Sequence, residues 1–331
     1  TGNLAGEIAN SGSMTAEGGW LGVSAEVTQS DTGRLLADGG TIEFFNNSKL
    51  IKGVTETKAA GRMHITDARK MAAEDITNKG YWLVENGAVM ELAGTAFANE
   101  GTVEIGGYYQ GYGPATLRVG KNVTTKGQGE IVLGPGHIDS PDGYTLTNEA
   151  GHTIRGAGYI SAPIVNNGLM EADRSFNYYG AMDLRGAAKT NNAILRATSG
   201  GFLDLRTTVD QSAEGRMMAD DASTIRLFTG SRINHGVTTS EGTGRFLISG
   251  QNVTTTIEDI TNQGYWLAEN GAFVNLDGST FTNTGTLNIG GYVGGAGWAT
   301  LRLTANVEAV GTGEIVLSPG YIDSPDGYTL T

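Results

Sequence analysis

The chain has 331 residues with 52 glycines, 6 prolines and no cysteine, 39% hydrophobic and 17% charged residues, and a formal net charge of -13. So much glycine does not suit a helical domain, and the scarcity of proline and the missing three-residue glycine period argue against collagen and disordered linkers. The missing cysteines exclude disulfides and thiolate metal sites, the uncompensated negative charge argues against nucleic acid as a partner, and no apolar run is long enough for a membrane span.

Taken in chain order, short strands alternate with turn signals. The first is apolar-x-Asn-x-Gly at Ile8 to Gly12, followed by Gly33-Arg34-Leu35, where a glycine precedes a polar and then a large apolar residue. Ile42 and Phe44 flank Glu43 with the period of a half-buried strand, and Gly61-Arg62-Met63 repeats the second signature. The Asn-x-Gly signature returns at Ile76 to Gly80 and Phe97 to Gly101, and Val103 and Ile105 alternate around Glu104. A glycine-rich insertion, 106 to 113, then precedes Leu117 and Val119, and Gly129-Glu130-Ile131 opens the next strand. Ile164 to Gly168 carries the Asn-x-Gly signature once more.

From Glu74 the chain repeats itself. Glu74 to Thr147 aligns without gaps on Glu258 to Thr331, and 49 of the 74 positions are identical. Upstream, Trp20 to Leu35 resembles Phe202 to Met217, so the chain holds nearly two copies of a unit of about 184 residues: 1–147, partial, and 148–331, continuous with it. Thr331 matches Thr147, after which the first copy continues, and the chain starts at Thr1, so it reads as a piece of a longer repetitive protein. Within the first copy the marker glycines 33, 61, 80, 101, 129 and 151 recur at the spacing of one coil of a β-solenoid, and 215, 244, 264, 285 and 313 do the same in the second. Strands with one apolar face close a core only by stacking, so the expectation is an all-β parallel solenoid of about 13 to 15 coils, with an axial length of about 65 Å. Asn and Gly tolerate left-handed turns, and Asn78 and Asn99, one coil apart, either form an amide ladder or act as independent turn residues.

Ile8 to Ala16 and Ile164 to Ala172 resemble the Ile-x-Asn-x-Gly coils of β-helical passengers of bacterial surface proteins, of the filamentous haemagglutinin and autotransporter adhesin types. The resemblance implies a right-handed parallel β-helix, export to the cell surface and a role in adhesion or as a stalk. The functional expectation is therefore a structural extracellular protein forming a stiff filament, stalk or adhesin shaft, without catalysis or cofactor, that self-associates end to end or laterally. The alternative is a carbohydrate-binding or carbohydrate-cleaving β-helix of tailspike or lyase type.

Three sets of residues bear on chemistry. Asp139 and Asp142 in Ile138 to Tyr144, repeated at Asp323 and Asp326, have a spacing open to calcium or paired-carboxylate chemistry, although Ser-Pro-Asp-Gly is also a plain turn sequence and the favoured reading. The four histidines lack a repeated setting and read as solvated surface residues, and no metal, cofactor or catalytic residue is assigned. Aromatics on the insertions 106 to 113 and 290 to 297, namely Tyr108, Tyr109, Tyr112 and Tyr292 with neighbouring Trp298, are the candidates for stacking on sugar rings or on a partner. In the repeated pairs Tyr81-Trp82 and Tyr265-Trp266, strand alternation sends one member into the core.

Overall fold

The computed structural model describes residues 1–106, 113–173, 180–290 and 297–331, among which every regular element is a β-strand. The chain forms two compact units, Thr1–Leu169 and Met170–Thr331. Each is a parallel β-solenoid in which short strands pair with their counterparts one coil earlier and one coil later.

In the first unit Thr55 pairs with Asn78, Asn78 with Asn99 and Thr102 with Glu130, so the coil length varies along the stack and is greatest in the third of these steps. The second unit repeats this: Thr238 pairs with Asn262, Asn262 with Asn283 and Thr286 with Glu314, and the last step again makes the longest coil. The coil is thus the repeating unit of structure, and the long repeat of sequence is laid over it. In the longest coils the strands Thr102–Gly106 and Thr286–Gly290 are followed in sequence by the glycine-rich insertions and then by the strands Thr116–Val119 and Ala299–Leu303.

Period-two alternation puts one face of each strand inside. Leu21, Ile42, Met63, Trp82, Val103, Ile131 and Ile154 lie in one register column of the first unit. Leu203, Ile225, Phe246, Trp266, Leu287 and Ile315 form its counterpart in the second. The tryptophan is the core member of each Tyr-Trp pair: Trp82 stacks on Phe44 with centroids 5.1 Å apart, and Trp266 on Phe246 at 4.7 Å. All four rings are fully buried. Burying one such side chain contributes roughly 1.5–3 kcal/mol.

Beside each column runs a polar ladder, and Asn78 and Asn99 are in it. Asn78 Nδ2 donates to Asn99 Oδ1 at 2.8 Å, and Asn262 Nδ2 to Asn283 Oδ1 at the same distance. The turn role holds as well, because Asn78 Oδ1 accepts from the N–H of Gly80 two residues on, at 2.9 Å. The glycine of the motif has a different reason from the one its turn character suggests. Asn78, Asn99, Gly80 and Gly101 all lie outside the left-handed region, which Asn47, Asn86 and Asn270 occupy instead. What Gly101 supplies is space: a Cβ there would sit 2.1 Å from the carbonyl oxygen of Gly80, and one at Gly285 would sit 2.2 Å from that of Gly264.

The structure also corrects the surface reading of the histidines: His64 is buried, His137 is half-buried, and His152 is built into the ladder, so that His235 alone of the four is exposed. The column breaks after Asn99: Thr125 lies beneath Asn148 but pairs with Phe97, two residues before Asn99, and His152 reaches back to bridge the gap. The amide of Asn99 is oriented by Asn78, so its Nδ2 donates both to the carbonyl of Glu130, at 3.1 Å, and to His152 Nε2, at 3.0 Å. His152 Nδ1 therefore carries the proton and donates to Asn148 Oδ1 at 2.6 Å, while Asn148 Nδ2 donates to Asn166 Oδ1 at 2.8 Å. His152 is fully buried. Burial pulls its pKa down to about 4, against a small upward pull from Glu130.

Two predictions follow from this packing. Replacing buried Ile105 with Asp is expected to cost about 3 kcal/mol or more, whereas Arg62→Ala on an outward position should stay within about 0.5 kcal/mol, both read by urea denaturation. His152 gives the second. Between about pH 6.5, its ordinary value, and about pH 4, its folded value, the unfolded chain binds more protons, so stability falls as pH falls through that window by about 3 kcal/mol. Urea midpoints from pH 7 to pH 5 should fall for the parent and stay flat for His152→Gln, which should be less stable at pH 7.

Candidate ligand-contact surface

Of the aromatic candidates on the insertions, Tyr108, Tyr109, Tyr112 and Tyr292 lie outside the described residues. Trp298 is described. It is 59% exposed, the most exposed large hydrophobic side chain among the described residues.

The structure brings Trp298 together with two aromatics that strand reading alone did not single out. Phe273 opens the strand Phe273–Asp277, Trp298 stands just before Ala299–Leu303, and Tyr321 lies in Gly320–Asp323. Phe273 pairs with Thr300, and Thr300 with Tyr321, so the rings come from three successive coils on one face. Trp298 and Tyr321 meet edge to face with centroids 6.5 Å apart, and Tyr321 is 41% exposed. The Arg302 guanidinium lies over Phe273, 4.9 Å from its centroid. The rings line an open groove of about 380 Å³ that Gln251 and Asn252 also line.

The acidic candidates are structural on the observed geometry. Arg118 grips Asp139 with two hydrogen bonds of 3.1 and 2.8 Å, and Arg302 grips Asp323 in the same way at 3.0 and 2.7 Å. Asp142 and Asp326 sit in the turns, where the N–H of Gly143 donates to Ser140 O at 3.0 Å and that of Gly327 to Ser324 O at 3.1 Å. Gly143 and Gly327 have φ of 76° and 79°, so these turns do use the left-handed region. Among the described residues no group of three His, Asp or Glu side chains is placed to hold a metal ion.

Other polar groups are spent on holding coils together. His64 Nε2 lies 3.0 Å from Glu85, and the His137 ring meets Tyr159 edge to face at 4.9 Å. Tyr81 donates to Glu104 at 2.6 Å, and burial together with that carboxylate keeps its phenol protonated far above the ordinary range. In the second unit Arg226 binds Asp204 through two bonds of 2.6 and 2.8 Å and Arg206 binds Asp183 at 3.0 Å, with Phe202 and Phe228 beneath the guanidiniums. Burial pushes the Asp204 carboxyl up despite Arg226. Lys189, almost fully buried, donates to the carbonyls of Arg185 at 2.9 Å and Ala187 at 2.6 Å, and burial lowers its pKa to about 7.

No protein-family model matches the chain, and no curated protein or solved structure gives a significant match to it. With Asp139 and Asp323 each satisfied by an arginine, a chelator is expected to leave the melting temperature unchanged within about 1 °C of its value in millimolar calcium, since nothing in these turns requires a bound cation. A clear rise in melting temperature on adding calcium to the chelated protein would contradict this account of the turns.

Proposed function

We propose that the chain is a segment of an extracellular shaft, a stiff surface stalk or filament of the kind found in bacterial adhesin passengers. The observation that carries this reading is that within each unit the same column of apolar side chains and the same amide ladder tie coil to coil, so that added sequence becomes added length. Ion pairs between coils, such as Arg118 with Asp139, Arg226 with Asp204 and Arg302 with Asp323, add to this stacking. The absence of cysteine suits passage through an envelope in an unfolded state. The strand edges of a solenoid favour pairing with another chain, and in this reading the protein self-associates end to end or laterally. Catalysis has no place in it, and the role rests on length, stiffness and resistance to proteases.

Immunogold electron microscopy of intact source cells, with antibodies raised against the purified chain, tests the proposal. Gold on material projecting from unpermeabilised cells is the expected result. Label that appears only after permeabilisation would contradict it.

A further inference from the structure

The groove formed by Phe273, Trp298 and Tyr321 is built from aromatic residues that only one copy of the repeat carries. The aligned copies differ at 25 of 74 positions, and at three of these the second copy has a Phe, Tyr or Trp where the first has none. Those three are Phe273, Trp298 and Tyr321, standing where the first copy has Val89, Pro114 and His137. They are scattered in sequence and share one groove. The scaffold beneath is common to both copies, since Arg302 with Asp323 repeats Arg118 with Asp139. Core packing does not account for the change, because Phe273 and Tyr321 take outward positions of their strands and Trp298 is exposed.

We propose that this groove binds a neutral polysaccharide, with the aromatic rings as its stacking platform. The lining supports that chemistry over an apolar ligand or an aliphatic side chain. Among the described residues it combines aromatic rings with two glycines and the amides of Gln251 and Asn252, and it has no aliphatic side chain. A pyranose presents a flat C–H face that packs on an aromatic ring and a rim of hydroxyls that amides bind. The rings come from successive coils, with the centroids of Trp298 and Tyr321 6.5 Å apart, so one glycan chain laid along the groove contacts rings from more than one coil. A net charge of -13 disfavours a polyanionic glycan. The site goes beyond the shaft role, which stands or falls independently of it.

Isothermal titration calorimetry of the full chain with cellohexaose and with chitohexaose, and with polygalacturonate as the anionic comparison, tests the proposal. At least one neutral oligosaccharide should bind saturably, and more tightly than polygalacturonate. Trp298→Ala, a truncation at an exposed position, should weaken binding at least tenfold with an unchanged melting temperature. The triple variant Phe273→Val, Trp298→Pro, Tyr321→His, which installs the residues that the first copy carries on the same coils, should abolish it. No binding of either neutral oligosaccharide, equal or tighter binding of polygalacturonate, or unaltered binding by both variants would overturn the proposal. Sedimentation of the unliganded protein adds one more decisive result: a concentration-dependent dimer lost in Trp298→Ala, without oligosaccharide binding, would assign the groove to a second copy of the chain.

Discussion

The amide of Asn78 donates to the amide of Asn99 one coil on, and this contact sets the terms for the rest of the fold. A buried amide must satisfy both its donor and its acceptor, at a cost of about 1–3 kcal/mol for a group left unpaired. Each buried amide must therefore be met by a polar group from a neighbouring coil, in register where Asn78 lies against Asn99. Once register is set at that corner it is set along the neighbouring strand, because slipping by one residue would turn the apolar column of Trp82 and Val103 outward. The glycines two residues after Asn78, Asn99, Asn262 and Asn283 follow from the same constraint, since the backbones approach too closely there for a Cβ.

Where the ladder lacks an asparagine, the fold improvises. Thr125 stands at such a position, and His152 supplies the missing link between Asn99 and Asn148 as a neutral imidazole with its proton on Nδ1. The arrangement works only while Nε2 accepts a hydrogen bond, since a proton there would face the donating amide of Asn99. One side chain thus makes a stretch of the stack dependent on pH, although its neighbours in the ladder are amides and a threonine that do not titrate.

Much of the fold is legible in the sequence because a solenoid is nearly one-dimensional. Coil length follows from the spacing of Gly80, Gly101 and Gly129, and the inward positions of Trp82, Val103 and Ile105 follow from alternation. His152 was not legible, because its partner Asn99 lies 53 residues away and contact across coils leaves no local pattern. Asp139 looked like a candidate for chemistry because its partner, Arg118, comes from the preceding coil. At the groove Trp298 stood out by its place beside an insertion, whereas Phe273 and Tyr321 fall within strands where an aromatic is unremarked. The signal that finds them is the comparison of the two copies, position by position. A shaft asks only that each coil stack on the next, so a departure of one copy towards exposed rings marks the positions on which the binding proposal rests.

In-register stacking of coils is the central claim, and the absence of native cysteine allows it to be tested by cross-linking. Thr124 and Thr147 are outward-facing register partners on adjacent coils. In a parallel stack their Cα atoms lie about 4.8 Å apart, within the range a disulfide spans, while shifting one partner by two residues puts the pair beyond about 7 Å. Oxidation of the Thr124→Cys, Thr147→Cys protein should give an intramolecular disulfide quickly and completely, and the Thr124→Cys, Thr145→Cys protein should form it poorly. Equal or faster closure of the shifted pair would contradict the register on which the whole account depends.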